Sequence, residues 1–286
     1  MSPTTPDSAP AKTNSSPDAT GTTPHDGGSM TVAIVGLGEV GRIYGTALHE
    51  AGHKVTGFDP YAVDPVEGVR VCDTLADAVA DAEVVLVLTA AGAGRTVAEQ
   101  AVGHLRRGAA YVDCTSSAPD AKRSLIELFA ARPDVELADV AILGPVIQLR
   151  TATPLMAAGP AAQRVAGLMR GLGADVAVVD GNLGDAMAHK LLRSVFMKGL
   201  AAAVTEAVTA GRAVGFEEWI RDQIARELSG NGQSTIDRWL TGSVVHARRR
   251  GDEMEAAAAY LDDLGVDSTM AKATAHHLRV LDRQTR

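Results

Sequence analysis

Val32-Ala33-Ile34-Val35-Gly36-Leu37-Gly38-Glu39-Val40-Gly41 decides how this chain is read. A short apolar run rich in β-branched residues stops at a glycine, and helical spacing begins directly after it, so the segment reads as strand, tight turn and helix start. The glycines fall at G-x-G-x-x-G spacing, and each has its own reason. Gly36 permits the turn, Gly38 lets a pyrophosphate approach the backbone, and Gly41 lets the helix pack closely on the strand. The helix start adds unpaired N–H groups that suit phosphate. Leu37, Glu39 and Val40 complete the loop, which makes residues 36–41 the candidate dinucleotide-binding segment.

The next apolar run, Lys54 to Phe58, ends in Asp59, close to the distance at which an acidic residue accepts hydrogen bonds from the adenine ribose hydroxyls. Asp59 would repel a 2′-phosphate and no arginine follows it directly. NAD is therefore the expected cofactor, with NADP possible through Arg42 or a loop. The plain alternative is an ordinary glycine turn with an aspartate at a strand end.

Outward from this unit the alternation continues. Strands are expected at 31–36, 53–59, 68–72, 83–89, 110–114, 139–143, 153–158 and 175–180, with helices starting near Gly38, Thr74, Gly94, Ala118 and Ala161. Asp73 and Ser117 are credible helix caps. Such alternation is the signature of a parallel sheet covered by helices. After Gly184 it stops, and an Ala-, Leu- and Val-rich stretch from Asp185 to Val214 opens a wholly helical remainder. The expected fold class is an α/β Rossmann domain followed by an all-α C-terminal domain: a disordered tail over 1–29, a dinucleotide-binding domain over 30–180 and a helical catalytic and dimerisation domain over 181–286. The long first helix has so few polar residues that burial on most sides is expected, part of it by a second subunit.

Composition narrows the partners. With a net charge of −8 the 286-residue chain has no electrostatic reason to bind nucleic acid. No apolar stretch approaches the roughly 18 residues of a membrane span. Residues 1–29 are rich in Pro, Ser, Thr, Asp and Gly, without a signal-like apolar segment. Cys72 and Cys114 are too few for a disulfide framework and make no C-x-x-C pair for a metal. The expectation is a cytoplasmic protein, a homodimer, acting on a small molecule.

Two segments carry the candidate chemistry. Asp113-Cys114-Thr115-Ser116-Ser117-Ala118-Pro119 follows the fifth strand, so its hydroxyls lie at the carboxyl edge of the sheet, where open α/β folds bind ligands. Thr115, Ser116 and Ser117 can hold a carboxylate there; alternatively Ser117 merely caps the next helix. Gly181-Asn182-Leu183-Gly184 leads into a helix in which Lys190 and Ser194 are four apart and share a face. Only six of the 27 basic residues are lysines, so one inside an apolar helix draws attention. A partly buried lysine can exchange a proton where arginine cannot, although a lysine snorkelling to solvent fits the same pattern. His189 points to another side of the helix and reads as structural. The run His246-Ala247-Arg248-Arg249-Arg250 reads either as an anion-binding patch or as a solvated face.

Together these residues resemble the β-hydroxyacid dehydrogenase family, which includes 3-hydroxyisobutyrate, tartronate semialdehyde and 6-phosphogluconate dehydrogenases. The family's G-L-G-x-M-G motif corresponds to Gly36 through Gly41, with Val40 in place of methionine. Its aspartate, two hydroxyl residues and proline correspond to Asp113, Thr115, Ser116 and Pro119. A small-residue turn that contacts substrate corresponds to Gly144-Pro145-Val146, and the glycine-led catalytic helix to Gly181 through Lys190.

The resemblance implies a reversible oxidation of a β-hydroxy acid. Lys190 would exchange the hydroxyl proton, Thr115, Ser116 and the Gly144 turn would hold the carboxylate, and Thr89 and Ala90 would line the nicotinamide ribose. The helical half is similar to that of a less characterised branch named after phosphogluconate dehydrogenase, through Lys190 to Gly199 and His246 to Met254. The chain departs from the family at Ser194, where asparagine is usual. It departs again at Met197, where 6-phosphogluconate dehydrogenases place a glutamate, and at Pro145, which has no N–H to offer a carboxylate. An imine reductase of related fold and a non-catalytic NAD sensor are the rival readings; Lys190 speaks against the first.

Overall fold

The computed structural model of the protein describes residues 28–61 and 64–285; nearly all of the expected N-terminal tail lies outside them. Strand β1 (Thr31–Val35) alternates its side chains between two cores. Val32 and Ile34 join a cluster with Leu48, Val112 and Val140 on one side, and Ala33 and Val35 join Val85, Val87, Tyr111 and Phe129 on the other. A strand buried on both faces must be apolar at every position, which is why these runs do not alternate with polar residues.

Helix α1 (Glu39–Glu50) crosses to β2 (Lys54–Phe58), followed by β3 (Val69–Val71), α2 (Leu75–Val79) and β4 (Val84–Val87). Then come α3 (Gly94–Ala101), β5 (Ala110–Asp113), α4 (Pro119–Arg123), α5 (Leu125–Leu128) and β6 (Glu136–Ile142). The half closes with α6 (Val146–Leu149), β7 (Leu155–Ala158), α7 (Ala162–Gly171) and β8 (Val176–Val178). The sheet runs β3-β2-β1-β4-β5-β6-β7-β8.

The expectation of a parallel sheet needs one correction. β7 pairs antiparallel to β6, with Val140 opposite Ala157, and β8 runs parallel to β7. The connection from β6 to β7 holds only the single turn of α6 and a short 3-10 turn, too little for the crossover that a parallel return requires. Two expected caps also differ. Thr74, not Asp73, caps α2 by accepting the Asp77 N–H, and Ser117 turns its hydroxyl away from α4, whose cap position is Ala118.

Five helices follow: α8 (Asp185–Ala213), α9 (Glu217–Leu228), α10 (Gly232–Val245), α11 (Ala247–Asp263) and α12 (Thr269–Gln284). The 29 residues of α8 span about 43 Å at 1.5 Å per residue. The first turns pack on β6, β7 and α4, and more distal parts of the helix meet α9 and α12. Within one chain the expected burial of α8 on most sides does not hold: Leu192 is 73% exposed, Val195 76% and Phe196 53%. Among the described residues no element is laid over these three side chains.

Candidate functional site

The loops that leave the C-terminal ends of β1, β4, β5 and β6 meet along one edge of the sheet, and α8 enters over them. Gly36 sits at φ +98°, and a Cβ there would lie 2.9 Å from the Leu88 carbonyl group, so the turn has no room for a side chain. Gly41 is tighter still: its Cβ would come 1.9 Å from the Gly36 oxygen. Gly38, by contrast, would direct a Cβ into open space, the side of the loop a phosphate would approach.

Leu37 contributes differently from a phosphate ligand. Its side chain is buried in the core, and its N–H donates to Asp59 Oδ2 at 2.8 Å. Asp59 Oδ1 accepts the Tyr61 N–H at 3.0 Å. Asp59 thus braces the glycine loop and keeps about half of its roughly four acceptor positions open. Glu39 is exposed at the first turn of α1, and Val40 packs partly against the core. Arg42 spends its guanidinium on the carbonyls of Asp64 and Pro65.

At the end of β4, Thr89 Oγ1 is buried without a hydrogen-bond partner, and Ala90 beside it is exposed. A buried hydroxyl left unpaired is unfavourable by about 1–3 kcal/mol, so an oxygen poised next to the glycine turn fits a ligand with hydroxyl groups. The open side of Gly38, the acceptor positions of Asp59 and the orphaned Thr89 hydroxyl together fit a dinucleotide.

The hydroxyl loop after β5 is more committed than its sequence suggests. Thr115 Oγ1 donates to Ser117 Oγ at 2.8 Å and accepts the Ser117 N–H, while Ser117 Oγ donates to the Ala91 carbonyl at 2.7 Å. Both hydroxyl protons are used internally, tying this loop to the one after β4. Ser116 is the exception: it is exposed, and its Oγ receives Lys190 Nζ at 3.3 Å, which leaves its own O–H free to donate.

Lys190 lies one turn into α8, half-buried where the helical region meets the sheet edge. Burial holds its ammonium below the usual lysine range; the charges of Lys122 and Lys198 push the same way, and Asp139 opposes them. Ser194 is half-buried one turn further on, and Gly144 packs against Thr153 and Leu149 in the turn after β6. Among the described residues no hydrogen bond joins either of them to Lys190. His189 Nδ1 lies 2.7 Å from the Asp185 carbonyl, to which it can only donate, in keeping with a structural role. In the basic run, Arg249 pairs with Glu253 one turn along α11, and Arg250 reaches back to Ser243 of α10, so both are engaged within the helical region.

What the sequence reading missed lies underneath. Lys122 of α4 is completely buried, with Nζ 2.8 Å from the Asp113 carbonyl, 3.2 Å from Asp113 Oδ1 and 2.8 Å from Asp139 Oδ1. The scarcity of lysine that singled out Lys190 could have singled out Lys122 as well. Asp139 sits in an apolar strand run, and that oddity was its only signal.

A family model described as the NAD-binding domain of 6-phosphogluconate dehydrogenase matches residues 31–181, more than half of the chain, and a domain of unknown function matches 212–281. The 3-hydroxyisobutyrate dehydrogenase of Pseudomonas aeruginosa is 27% identical over 212 residues, 70% of each chain. A solved protein of unknown function, described as structurally similar to 3-hydroxyacid dehydrogenases, is 26% identical with TM-score 0.60, covering 90% of this chain and all of that one. An imine reductase variant from Myxococcus stipitatus in complex with NAD+ shares the fold, with TM-score 0.74 at 18% identity over 90% of this chain and 94% of its own. The glycine loop, the sheet that carries it and the match across both thus agree: the chain belongs to the family of the NAD-binding domain of 6-phosphogluconate dehydrogenase, the β-hydroxyacid dehydrogenase-like group of NAD(P)-dependent oxidoreductases.

Proposed function

We propose that the protein interconverts a small β-hydroxy acid and its carbonyl counterpart, with Lys190 as general acid and base at the substrate oxygen. The observation that carries this reading is the 3.3 Å approach of Lys190 Nζ to Ser116 Oγ at the edge of the sheet that also bears the glycine loop. A bound nicotinamide supplies the hydride acceptor or donor. Gly38, Glu39, Val40 and Gly41 would offer it the helix start, Asp59 the ribose acceptor and Thr89 and Ala90 the second ribose contact.

The remaining steps belong to the chain itself. A lysine held below its usual pKa has a larger neutral fraction near physiological pH, so its amine takes the proton from a substrate hydroxyl, and the ammonium returns one to a carbonyl oxygen. Ser116 keeps a free O–H for the substrate carboxylate. Thr115 and Ser117 have none to spare, so they act by holding the loop, which narrows the carboxylate site to Ser116 and the Gly144 turn. Ser194, on the same helix face one turn later, orients the substrate or the amine.

Asp59, with Arg42 engaged elsewhere, favours NAD over NADP. The division near residue 180 separates the nucleotide-binding part from the helical part that carries Lys190. The exposed apolar middle of α8 supports a homodimer; light scattering should give twice the 29.6 kDa of one chain, and Val195→Glu should shift it toward monomer. No helix among the described residues is long and apolar enough to cross a membrane, and the two free buried cysteines suit a reducing cytoplasm.

The deciding experiment is turnover with NAD+ and NADP+ on a panel of β-hydroxy acids, with NADH on the matching carbonyls, and with cyclic imines and amines alongside. Hydroxy-acid turnover supports the proposal. Imine reduction alone would make it an imine reductase, and cofactor binding without any turnover would make it a sensor.

A further inference from the structure

The Lys122 cluster touches both halves of the candidate site from below. Asp113, at the end of β5, accepts the Thr115 N–H at 2.7 Å through the same Oδ1 that faces Lys122, and so governs the turn that presents Ser116. Asp139, in β6, is fully buried; its Oδ2 accepts the Met187 N–H at 2.9 Å in the first turn of α8, three residues before Lys190. Its Oδ1 is 2.8 Å from Lys122 Nζ yet receives no aligned hydrogen bond, so the pairing there is by charge. Nζ itself donates to the Asp113 carbonyl.

A second clamp joins the same two elements on the surface. Arg123, next to Lys122, bonds Asp185 at 2.9 Å, and Gly184 lies so close to α4 that a Cβ would be 2.5 Å from the Pro119 oxygen. One short helix therefore grips the start of α8 from inside and outside.

We propose that Lys122 is a positioning residue, whose buried ammonium, through Asp113 and Asp139, fixes the Ser116 loop and the first turn of α8 so that Lys190 and Ser116 face each other. Buried charge clusters are weak stabilisers compared with apolar groups of the same shape, which makes a registration role the better account of three charges in a core. The inference uses the site described above, but its test reads Lys190 directly and does not depend on the substrate being correct.

The test is competitive amine labelling of the full chain with acetic anhydride across a pH series, following Lys190 by mass spectrometry. The charged groups that act on Lys190 are Lys122 of α4, Asp139 of β6 and Lys198 of its own helix. Lys122→Met/Asp139→Leu removes one charge of each sign, so the electrostatic effects oppose each other while the pinning of α8 is lost. The expected result is a folded protein with unchanged NADH affinity in which the Lys190 midpoint moves up toward an ordinary lysine, as burial of the amine is relaxed.

Asp139→Asn and Lys122→Met are run singly. Upward shifts in both support positioning. Opposite shifts, up without Lys122 and down without Asp139, mean that the cluster acts by charge alone and overturn the proposal, as does an unchanged midpoint in the folded double variant. If the singles do not fold, the double variant decides. Should hydroxy-acid turnover be absent in the wild type while these shifts occur, the functional reading fails and the positioning inference stands.

Discussion

Two glycines in one loop should respond to the same substitution in opposite ways. Gly36→Ala forces a side chain onto a backbone at φ +98°, where an L-residue is disfavoured by about 1–2 kcal/mol. It also presses Cβ against the Leu88 and Thr89 main chain at 2.9–3.0 Å, which cannot rotate aside, adding overpacking of about 1–3 kcal/mol. A total of roughly 2–5 kcal/mol corresponds to a melting temperature lower by about 4–20 °C for a domain of this size. Gly38 has φ −67° and ψ −167°, backbone that alanine adopts readily, with nothing within 4 Å of the new Cβ.

Gly38→Ala should therefore fold nearly as well as wild type, losing at most about 1 kcal/mol at the cap. Its Cβ would stand where a phosphate approaches the helix start. Losing one charge-assisted hydrogen bond, about 1.5–3 kcal/mol, should weaken NADH by roughly 10- to 100-fold. Thermal unfolding of the cofactor-free proteins and NADH fluorescence titration measure the two effects separately. Wild-type NADH affinity in Gly38→Ala would refute the placement of the pyrophosphate, and wild-type melting of Gly36→Ala would refute the steric account of the turn.

Lys190→Met should retain folding and NADH binding and lose turnover by roughly 10²–10⁴, the usual contribution of a positioned acid and base. Lys190→Arg should fail almost as badly because its guanidinium keeps its proton; steady-state kinetics showing an active arginine variant would move proton transfer to another group. Asp59→Ala should narrow the preference for NAD over NADP, read as the ratio of kcat/KM for the two; a wild type that prefers NADP would sink the assignment. The folded protein holds Lys190 below its reference value of 10.5, chiefly by burial, so between the two values the unfolded chain binds more protons and stability rises with pH. Lys190→Met removes that penalty. Its melting-temperature advantage over wild type should be fully present below the folded pKa and should shrink as pH approaches about 10.5; an advantage constant in pH would show that charge burial is not its source.

Local chemistry alone makes much of this protein legible. The G-x-G-x-x-G spacing, the doubly buried strand runs and the end of alternation at Gly184 depend on neighbours within a few residues, and the sheet, α1 and the helical half all follow from them. Lys190 stood out because a lysine in an apolar helix is locally conspicuous. Ser116 could not be separated from Thr115 and Ser117 that way: all three have the same chemistry, and only the fold brings the Ala91 carbonyl within reach of Ser117 and Lys190 within reach of Ser116.

The antiparallel turn of β7 was hidden because an apolar strand carries no mark of its direction; the short connection after Ile142 decides it. Lys122 and Asp139 are 17 residues apart in sequence, and Asp139 and Met187 are 48 apart. Neither carries a local signal of its partner, since a charge is tolerated in a core only when distant chain segments arrive to pair it. Sequence determines which segments become strands, turns and helices, because those choices rest on periodicity and backbone sterics. The tertiary structure alone decides which polar groups spend their hydrogen bonds on one another and which are left free to meet a ligand.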